Sequence, residues 1–530
     1  MASKPKPKPK PSSVPSYHDA VDVSLYDGAL AGKVETLRTK FKTLLGGGRG
    51  GTRGDDEGSI ELVARSTEIA KREILPEVFP SPPKHFRSRC RFQVVKEEVA
   101  DAGDGKNRKT NLSYRLRENG DVTGAIYEFP MALESINKIM PVLLETIEKE
   151  ETGKLITGLE AVNFLAAREG GMHVTLVYSI NIDGDDKWRI AATNVREEMM
   201  ETLAMKDGDD FGVQFSADDP TALNLLGRSK GVLVLIGPAN YVVERFKTID
   251  GRVLTYHQPE GAFSNPNAFV AEHTVNWLAD VSRTTAREAL GKMNAIRVMS
   301  SQGVTSSTSH DSVNVSANEP SSSTTAPPLP SLLELYCGNG NHTVALASSF
   351  ASVAAVELSD SLCKAARVNL HRNGITNAKI FNAPSENVAR AMLRKRIVGT
   401  RVDASTGTGL PEDSEGNVLP SADSTHETPT TENKNTEEHS IKSLDVNKYE
   451  CVLVDPPRAG LDADTLALVT KFPVILYISC DPNSLFGNAM NGSHGLSKTH
   501  AIKRFAVFDH FPWTQHIEVG AAWVRKDLLQ

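Results

Sequence analysis

Cysteine is scarce in this sequence, and the few cysteines stand far apart. The 530 residues include five of them: Cys90, Cys337, Cys363, Cys451 and Cys480. No two form a Cys-x-x-Cys pair, so a zinc or iron–sulfur site built from neighbouring thiols has no support in the sequence. The odd number and the wide spacing also argue against a disulfide framework. We therefore expect reduced thiols and no bound metal.

Long apolar runs and a readable targeting signal are missing as well. No run approaches the ~18–20 apolar residues that span a bilayer, which argues against a membrane protein. The first residues, MASKPKPKPKPSSVPS, alternate lysine with proline and form neither the apolar core of a signal peptide nor an arginine-rich amphipathic helix. We expect a monomer in the cytoplasm, with the nucleus or an organelle as the alternative location.

An excess of positive charge is also lacking, since the formal net charge is −7. This is unfavourable for an RNA-binding protein, but the distribution of charge matters more than its sum. Residues 403–445 contain many acidic and few basic residues. The segment from Lys84 to Phe92, in contrast, is cationic with interleaved aromatic residues, which suits phosphate contact beside base stacking. A strand with one charged, solvated face is an equally good interpretation of that segment.

The length predicts two folded domains accompanied by disordered segments. Residues 1–58 combine the Lys-Pro tail with a glycine-rich run and are expected to be disordered, apart from one amphipathic helix candidate over 31–45. Residues 59–260 predict an α+β RNA-binding domain with antiparallel pairing, because strand-length segments follow one another like hairpins. The expected helices are 131–150 and 187–205, and the expected strands are 88–96, 112–117, 173–180, 231–236 and 252–257.

Residues 261–530 predict a second domain with two disordered insertions. The insertions, 300–330 and 402–447, are rich in serine, threonine, proline and acidic residues and cannot bury enough apolar surface to offset the entropy of ordering. From Ser331 onward, strands alternate with helices, which predicts an α/β, Rossmann-like domain with a mostly parallel sheet. The last two strands, near 504–508 and 516–523, are joined closely and predict an antiparallel hairpin at the sheet edge.

A cofactor site is expected where the first strand of this second domain ends. There, ELYCGNGN precedes a helix, and Gly338 and Gly340 let the backbone turn sharply and approach a ligand. Thr343 occupies the place of the third glycine of a dinucleotide fingerprint, so a pyrophosphate is disfavoured. Glu357 ends the second strand, where a carboxylate can accept both ribose hydroxyls. This combination favours S-adenosylmethionine over NAD, and the alternative is a glycine turn of structural use only.

Two further motifs end strands of the same sheet. Asp455-Pro-Pro-Arg458 makes a stiff loop in which the aspartate can hold the cofactor or the target base. Arg458 stands where methyltransferases that act on amines place an aromatic residue, which makes amine methylation the weaker alternative. Cys480 follows the next strand, and Glu518 is the carboxylate in the final predicted strand.

Cys480 and Glu518 together predict methylation of uracil C5. A thiolate that adds to C6 makes C5 nucleophilic enough to take a methyl group, and a base must then remove the C5 proton. Taken singly, a cysteine in this place is more often buried and inert, and a glutamate is more often solvated. Their occurrence together with the cofactor motif favours catalysis.

These residues together resemble the tRNA (uracil-5-)-methyltransferase family. The resemblance is close in LLELYCGNGN, VDPPRAGLD, LYISCDPNSL and FDHFPWTQHIEVG, and looser upstream in ILPEVFPSPPKHFRSRCRF and GAFSNPNA. It implies that Cys480 is the nucleophile, that Glu518 accepts the proton, and that the substrate is the T-loop uridine of tRNA that becomes ribothymidine. It also implies that S-adenosylmethionine is bound by Tyr336, Asn341, Glu357 and Asp455.

Two positions depart from the family pattern. Asn265 stands where the family has glutamine, so a cofactor contact there would come from a side chain one methylene shorter. Gln93 stands where the family tends to have arginine, which leaves Arg87 and Arg89 as the better candidates for RNA contact in that strand. We place Arg458 in the same RNA-binding set. Phe263 is a candidate for stacking on the extruded uracil, with core packing as the alternative.

Two other functions stay open at this point. Related enzymes that act on ribosomal RNA usually carry an N-terminal barrel domain and a cysteine-ligated cluster. This chain shows no such cysteine set, which favours tRNA over ribosomal RNA as the substrate. An RNA-binding folding factor for tRNA, with dispensable catalysis, is the alternative from a different class.

Overall fold

A computed structural model of the chain describes residues 21–45, 74–100, 108–118, 121–122, 124–205, 222–262, 264–302, 328–399 and 441–529. The helices are α1 (Tyr26–Lys40), α2 (Glu134–Lys149), α3 (Asp186–Met205), α4 (Ala268–Val281), α5 (Arg287–Gln302), α6 (Asn341–Leu346), α7 (Asp360–Arg372), α8 (Ser385–Gly399), α9 (Ala463–Val469), α10 (Pro482–Met490) and α11 (Leu496–Thr499). The strands are β1 (Glu77–Phe79), β2 (Arg89–Ala100), β3 (Arg108–Arg115), β4 (Arg117–Glu118), β5 (Asp121–Val122), β6 (Leu159–Ala166), β7 (Met172–Tyr178), β8 (Leu223–Ser229), β9 (Val232–Ile236), β10 (Tyr241–Lys247), β11 (Val253–Pro259), β12 (Ser331–Leu335), β13 (Ser352–Glu357), β14 (Ala378–Asn382), β15 (Cys451–Val454), β16 (Val474–Ser479), β17 (His500–Phe508) and β18 (Glu518–Arg525).

The main sheet has eight strands in the order β1-β17-β18-β16-β15-β12-β13-β14. Strands β14, β13, β12, β15 and β16 are parallel, and β18 pairs antiparallel with both β16 and β17. Every residue of β15 and β16 is buried, as expected for central strands covered by helices on both faces. The α/β, Rossmann-like fold expected for the C-terminal domain is therefore confirmed.

The final hairpin is present, but it does not form the edge of the main sheet. Strand β18 lies between β16 and β17, and β1 pairs parallel with β17 on the outside. Glu77 of β1 also forms an ion pair with Arg504 of β17, with an oxygen–nitrogen distance of 2.6 Å. A three-residue strand from the N-terminal part of the chain thus covers the edge, a pairing between residues too distant in sequence to be read from either segment.

The second sheet has six strands in the order β3-β2-β6-β7-β8-β9. Its pairings are antiparallel, as we expected, except that β7 and β8 are parallel. Helix α3 lies between these two strands in the sequence and packs on the sheet with Trp188 fully buried. The expectation of antiparallel pairing throughout was wrong here, because β7, α3 and β8 form a crossover unit.

The hairpin of β10 and β11 packs on the C-terminal domain. Phe246, Leu254 and Tyr256 are buried in one cluster with Cys337 and with residues of α4, α6 and α7. The Tyr256 hydroxyl donates to the carbonyl of Asn341 at 3.0 Å. In the fold, the change of domain therefore lies before Tyr241, whereas we placed it at residue 260.

Two segments that we expected to be disordered are folded in part. Residues 21–45, within the expected disordered segment 1–58, contain α1, and Tyr26, Leu30 and Leu37 on one face of that helix are buried. Residues 441–447, within the expected insertion 402–447, form short 3₁₀ turns that bury Leu444 and Val446. These small apolar contacts depend on partners distant in sequence. The rest of the two insertions lies almost wholly outside the described residues.

Within the part of the chain that the structure describes, no helix is both long enough and apolar enough to cross a membrane.

Candidate active site

The carboxyl ends of the central parallel strands meet at one edge of the main sheet. Leu335 of β12 pairs with Val356 of β13 and with Val454 of β15. The next residue along each strand is Tyr336, Glu357 or Asp455. Register alone therefore makes these three expected cofactor residues neighbours.

Strand β18 brings Glu518 to the same edge from the opposite direction. Ser479 of β16 pairs with Val519 of β18 in an antiparallel ladder. One position further along, Cys480 follows the end of β16 and Glu518 begins β18. Residues directly opposite in such a ladder share a face of the sheet. The two expected catalytic residues are thus brought together by strand register.

The loop between β12 and α6 depends on backbone conformations that favour glycine. Gly338 has φ +57° and Gly340 has φ +79°, and Tyr336 has φ +65° although it carries a side chain. A Cβ on Gly340 would lie 3.2 Å from Cβ of Ala366, whereas a Cβ on Gly338 would meet nothing within 4 Å among the described residues. Gly340 therefore allows close packing on α7, and Gly338 faces open space.

Glu357 is fixed by the backbone around it. Its Oε2 accepts the N–H of Gly338 at 3.0 Å, and its Oε1 accepts the N–H of Ser359 at 2.8 Å. Each carboxylate oxygen has a second lone pair. Glu357 can therefore keep both backbone bonds and still accept the hydroxyls of a ribose.

A cleft of about 520 Å³ opens beside this loop. We call it the cofactor cleft, and its lining residues are Tyr336, Glu357, Leu358, Pro384, Ser385, Glu386, Arg390, Pro457, Gly460 and Asp462. The combination of carboxylates, hydroxyls and apolar carbons fits a nucleoside with a charged tail. The residues present therefore fit S-adenosylmethionine. Burial raises the pKa of the Tyr336 hydroxyl above its ordinary value.

Asn341 begins α6 at the far end of the same loop. Its carbonyl is held by the Tyr256 hydroxyl, and its side chain is half-buried. The Asn341 side-chain amide thus lies at the first residue of α6, and Tyr256 of the β10–β11 hairpin holds this residue in place.

Asp455 and Glu518 form a pair of acids at the reactive edge. Burial raises the pKa of Glu518, and the nearby Asp455 carboxylate raises it further. Burial also raises the pKa of Asp455. The Glu518 side chain is 11% exposed and the Asp455 side chain 35% exposed, so both lie at the boundary between core and solvent.

Cys480 differs from the other cysteines, all of which the structure describes. Cys90, Cys337, Cys363 and Cys451 are buried, whereas Cys480 is half-buried. Burial raises the pKa of the Cys480 thiol, the Glu518 and Asp455 carboxylates add to this, and the Arg458 guanidinium opposes it. Cys480 is thus the one cysteine of the five that is not fully buried, and its charged neighbours are two carboxylates and an arginine.

Asn265 lies at the Glu518 end of the site rather than in the cofactor cleft. Its Nδ2 is 3.5 Å from Nε2 of His510, and that nitrogen is 3.6 Å from Oε2 of Glu518. Burial lowers the pKa of His510 to about 3, so the imidazole is neutral at physiological pH. Asn265 and His510 together form one polar wall around Glu518.

The expected RNA contacts are separated by the structure. Arg458 is exposed beside Cys480. Arg87 donates from Nε to the carbonyl of Arg89 at 2.9 Å, and Arg89 donates to the carbonyl of Ala262 at 2.7 Å. These two arginines thus support the backbone beside the site. Phe263 lies outside the described residues.

Glu334 and His342 are polar residues of the site that the sequence did not single out. Glu334 on β12 is 1% exposed and accepts the Thr343 hydroxyl at 2.6 Å, and burial raises its pKa to about 8. His342 Nδ1 lies 4.0 Å from Asp455 Oδ2. The signal for Glu334 was available: a carboxyl within the apolar strand SLLEL has to be paired or protonated.

The part of the chain that the structure describes contains no cluster of three or more His, Cys, Asp or Glu side chains that could hold a metal ion.

Comparison with known proteins identifies the family. The model for the family described as tRNA (Uracil-5-)-methyltransferase matches residues 67–293, 319–404 and 416–526. A tRNA/tmRNA (uracil-C(5))-methyltransferase from Stutzerimonas stutzeri is 31% identical over 472 residues, covering 88% of this chain and 96% of that protein. Its counterpart from Psychromonas ingrahamii is 29% identical over 452 residues, covering 85% and 91%.

A solved structure shares the fold. The structure of Pyrococcus abyssi tRNA (uracil-54, C5)-methyltransferase in complex with S-adenosyl-L-homocysteine aligns with a TM-score of 0.50 at 16% identity, covering 93% of this chain and 83% of that one. The match of the family model extends over most of the sequence, including both strand ends that carry Cys480 and Glu518. The chain therefore belongs to the tRNA (uracil-5-)-methyltransferase family and is an S-adenosylmethionine-dependent methyltransferase.

Proposed function

We propose that this chain methylates C5 of the T-loop uridine of tRNA through a covalent bond between Cys480 and C6 of the uracil. The observation that carries the proposal is the register that sets Cys480 opposite Glu518, at the edge where the cofactor cleft opens. The family, and the tRNA/tmRNA (uracil-C(5))-methyltransferase names of relatives that this chain covers almost completely, support uracil C5 and tRNA as target and substrate.

Cys480 acts first as a nucleophile. Its thiolate donates an electron pair to C6 of the uracil, and the C5–C6 π electrons move toward C5 and the C4 carbonyl oxygen. The Arg458 guanidinium, whose charge lowers the pKa of Cys480, favours the thiolate against the burial that opposes it. Arg458 is exposed and can contact the RNA backbone at the same time.

Glu518 acts second as a base. S-adenosylmethionine, when bound, supplies the methyl group that C5 takes. Glu518 then removes the C5 proton, the C5–C6 double bond re-forms, and the sulfur of Cys480 leaves with the electron pair of the C–S bond. The proton that Glu518 gains balances the one lost from C5, and the uracil is otherwise restored. The raised pKa of Glu518 suits a group that must hold this proton until solvent takes it.

The remaining site residues hold S-adenosylmethionine, the methyl donor. Glu357 accepts the ribose hydroxyls, Gly338 leaves room for the ligand, and Tyr336, Asn341 and Asp455 contact the rest of the donor. Asn265, which lies on the polar wall beside Glu518, contacts the methyl donor from the side of Glu518. The supporting observations are the bonds that fix Glu357 and the open space at Gly338.

RNA contacts come from Arg458, Arg87, Arg89 and Phe263. The target uridine has to leave its stack to reach Cys480, and the ring of Phe263 provides a stacking surface. Arg89 already holds the carbonyl of Ala262, the residue before Phe263. We assign the exposed Arg458 to contact with phosphate, and Arg87 and Arg89 to RNA contact beside it.

The test is methylation of a tRNA transcript by the purified protein, with nucleosides quantified by mass spectrometry. We expect 5-methyluridine, lost when the T-loop uridine is replaced by cytidine. Cys480→Ala should abolish it, and Glu518→Gln should lower the rate by about 10²–10⁴-fold. Cys90→Ala, which changes a buried thiol in the other domain, is the matched control and should retain activity. Activity of Cys480→Ala would overturn the proposed mechanism. Methylation of ribosomal RNA but not of tRNA would overturn the assignment of tRNA as the substrate.

A further inference from the structure

Helix α1 lies against the segments that carry both catalytic residues. Its buried face belongs to the same apolar cluster as Phe505 of β17 and as Ile517, the residue before Glu518. The helix precedes the N-terminal domain in sequence but packs on the C-terminal domain. The helix therefore joins a segment far away in sequence to the segments beside the catalytic residues.

Lys33 points from α1 into this interface. Its side chain is 9% exposed, and its partner Asp509 is fully buried. The ammonium donates to Oδ1 of Asp509 at 2.8 Å, to the carbonyl of Phe511 at 3.0 Å and to the carbonyl of His516 at 3.4 Å. One side chain therefore ties together the start and the end of residues 509–516, which we call the base loop because Glu518 follows it.

Tyr26 ties the base loop to the segment that follows β1. Its hydroxyl donates to Oδ2 of Asp509 at 2.9 Å and accepts the N–H of Ser81 at 2.8 Å. From the loop itself, Nε1 of Trp513 donates to the carbonyl of Pro83 at 2.8 Å. The loop is thus held at several points, and all of the side chains of α1 in this network converge on Asp509.

The C-terminal end of α1 contacts the helix that follows Cys480. Lys40 hydrogen-bonds Asn483 and lies 5.7 Å from the ring centre of Phe486. Phe41, just after the helix, packs edge-on against the same ring at 5.6 Å. Asn483 and Phe486 belong to α10, which begins two residues after Cys480. A single helix therefore spans from the nucleophile segment to the base loop.

We infer that α1 is a positioning element for catalysis, in which Lys33 holds the base loop so that Glu518 reaches the C5 proton. The inference rests on the role proposed for Glu518. Without Lys33, the Asp509 carboxylate would stay buried with its charge uncompensated, and the loop would lose three bonds. Displacement of a reacting group by about 1 Å lowers a rate by about 10²-fold. Loss of Lys33 should therefore slow proton removal while thiol addition continues.

The test separates the two chemical steps in Lys33→Met. With 5-fluorouridine-substituted tRNA, C5 has no proton to lose, so the rate of covalent complex formation reports addition and methyl transfer only. With ordinary tRNA, turnover also requires Glu518. We expect turnover to fall by about 10- to 100-fold and covalent complex with ordinary uridine to accumulate. The rate of complex formation with 5-fluorouridine should stay that of the wild type.

Three variants control the result. Lys42→Met removes the same charge from an exposed position just after α1 and should change neither rate. Lys33→Arg keeps the cation and should restore most of the turnover. Tyr26→Phe keeps the ring but removes the bond to Asp509, and should show the same split between steps to a smaller extent.

Two outcomes for Lys33→Met would overturn the inference: unchanged turnover, or an equal loss of both rates, which would mean a general loss of structure. Absence of a covalent complex with the wild-type protein would instead overturn the proposed mechanism. In that case the positioning role of Lys33 toward Glu518 would fail together with the proposed mechanism. Retained activity of Cys480→Ala would show independently that the mechanism is wrong.

Discussion

At the scale of the residue, the reactive edge holds groups whose surroundings favour their neutral forms. Burial raises the pKa of Cys480, Glu518 and Asp455; the Asp455 carboxylate raises the pKa of Glu518 further, and both carboxylates raise that of Cys480. Both Cys480 and Glu518 must be deprotonated to act in the proposed mechanism. Arg458 is the nearby charge that acts in the other direction on the thiol. The pH dependence of the reaction therefore carries information on these contacts.

We predict that kcat/KM rises with pH, because the deprotonated forms of Cys480 and Glu518, whose pKa values are both raised, gain population as pH increases. Arg458→Gln should shift the midpoint of this rise to higher pH, since it removes the charge that lowers the pKa of the thiol. The measurements are kcat/KM against pH with ordinary tRNA and, for the thiol alone, the rate of covalent complex formation against pH with 5-fluorouridine-substituted tRNA. An unchanged midpoint with a lower amplitude would show that Arg458 acts on RNA alone.

Individual residues were predictable from sequence where a motif ends a strand. Glu357 ends a β-strand of clear apolar pattern and Asp455 and Cys480 follow such strands, so that all three lie at one edge of the sheet. His510 and Lys33 were not predictable in this way. Their importance depends on which distant atoms they meet, such as Glu518 for His510 and Asp509 for Lys33.

At the scale of the element, the loop between β12 and α6 uses its two glycines for different purposes. Gly340 has Ala366 close by, whereas Gly338 faces open space and donates its N–H to Glu357. The two positions share a backbone conformation that is unfavourable for other residues. Substitution of Gly340 therefore tests backbone strain and packing against Ala366, whereas substitution of Gly338 tests backbone strain and ligand binding.

We predict that Gly340→Ala lowers the free energy of unfolding more than Gly338→Ala does. Left-handed backbone strain of about 1–2 kcal/mol applies to both, and crowding against Ala366 adds about 1–3 kcal/mol at Gly340 alone. Gly338→Ala should instead weaken binding of S-adenosylhomocysteine more. Chemical denaturation and calorimetry measure the two effects. The same affinity in both variants would contradict a close approach of the ligand to Gly338.

Elements were predictable where the apolar pattern is local. The alternation from β12 to β16 is confirmed, because each strand and helix there has its own periodic pattern. Helix α1 begins at Tyr26, earlier than the expected start at residue 31, because Tyr26 and Leu30 are buried by partners distant in sequence. Strand β1 has three residues, and only its partner β17 makes it a strand.

At the scale of the whole molecule, three acids with raised pKa values oppose folding as the pH rises. Burial raises the pKa of Glu334, Asp455 and Glu518 above the usual carboxyl range. A carboxyl with a raised pKa binds its proton more tightly in the folded state. Its contribution to stability is full below the pKa of the unfolded chain and is lost as the pH rises through the folded value.

We predict that the wild-type protein loses stability between the ordinary glutamate pKa of 4.5 and the value of about 8 that Glu334 has in the fold. Glu334→Gln keeps the shape without the ionisation, so it should reduce this loss, with Tm above that of the wild type at pH 9 and the advantage gone at pH 5. Thermal melts across this range measure it. An advantage that is constant with pH would mean that Glu334 is not a source of the pH dependence.

The division into two domains stays a prediction. Separate apolar clusters lie on the six-stranded sheet and on the main sheet. The β10–β11 hairpin, α1 and β1 precede β12 in sequence but pack on the part of the chain that forms the main sheet, which the sequence did not indicate. Contacts of this kind are fixed by packing between distant segments. A monomeric state and a cytoplasmic location stay predictions.

The central claim is that the sulfur of Cys480 bonds to uracil C6 during the reaction. The most direct measurement is mass spectrometry of the protein after reaction with 5-fluorouridine-substituted tRNA and S-adenosylmethionine, followed by nuclease and trypsin. Cleavage after Lys471 and Lys498 gives a peptide of residues 472–498 that contains Cys480. The account predicts that this peptide carries one methylated 5-fluorouridine nucleotide. Attachment to another cysteine, or methylation of the tRNA with no attachment to the protein, would contradict it.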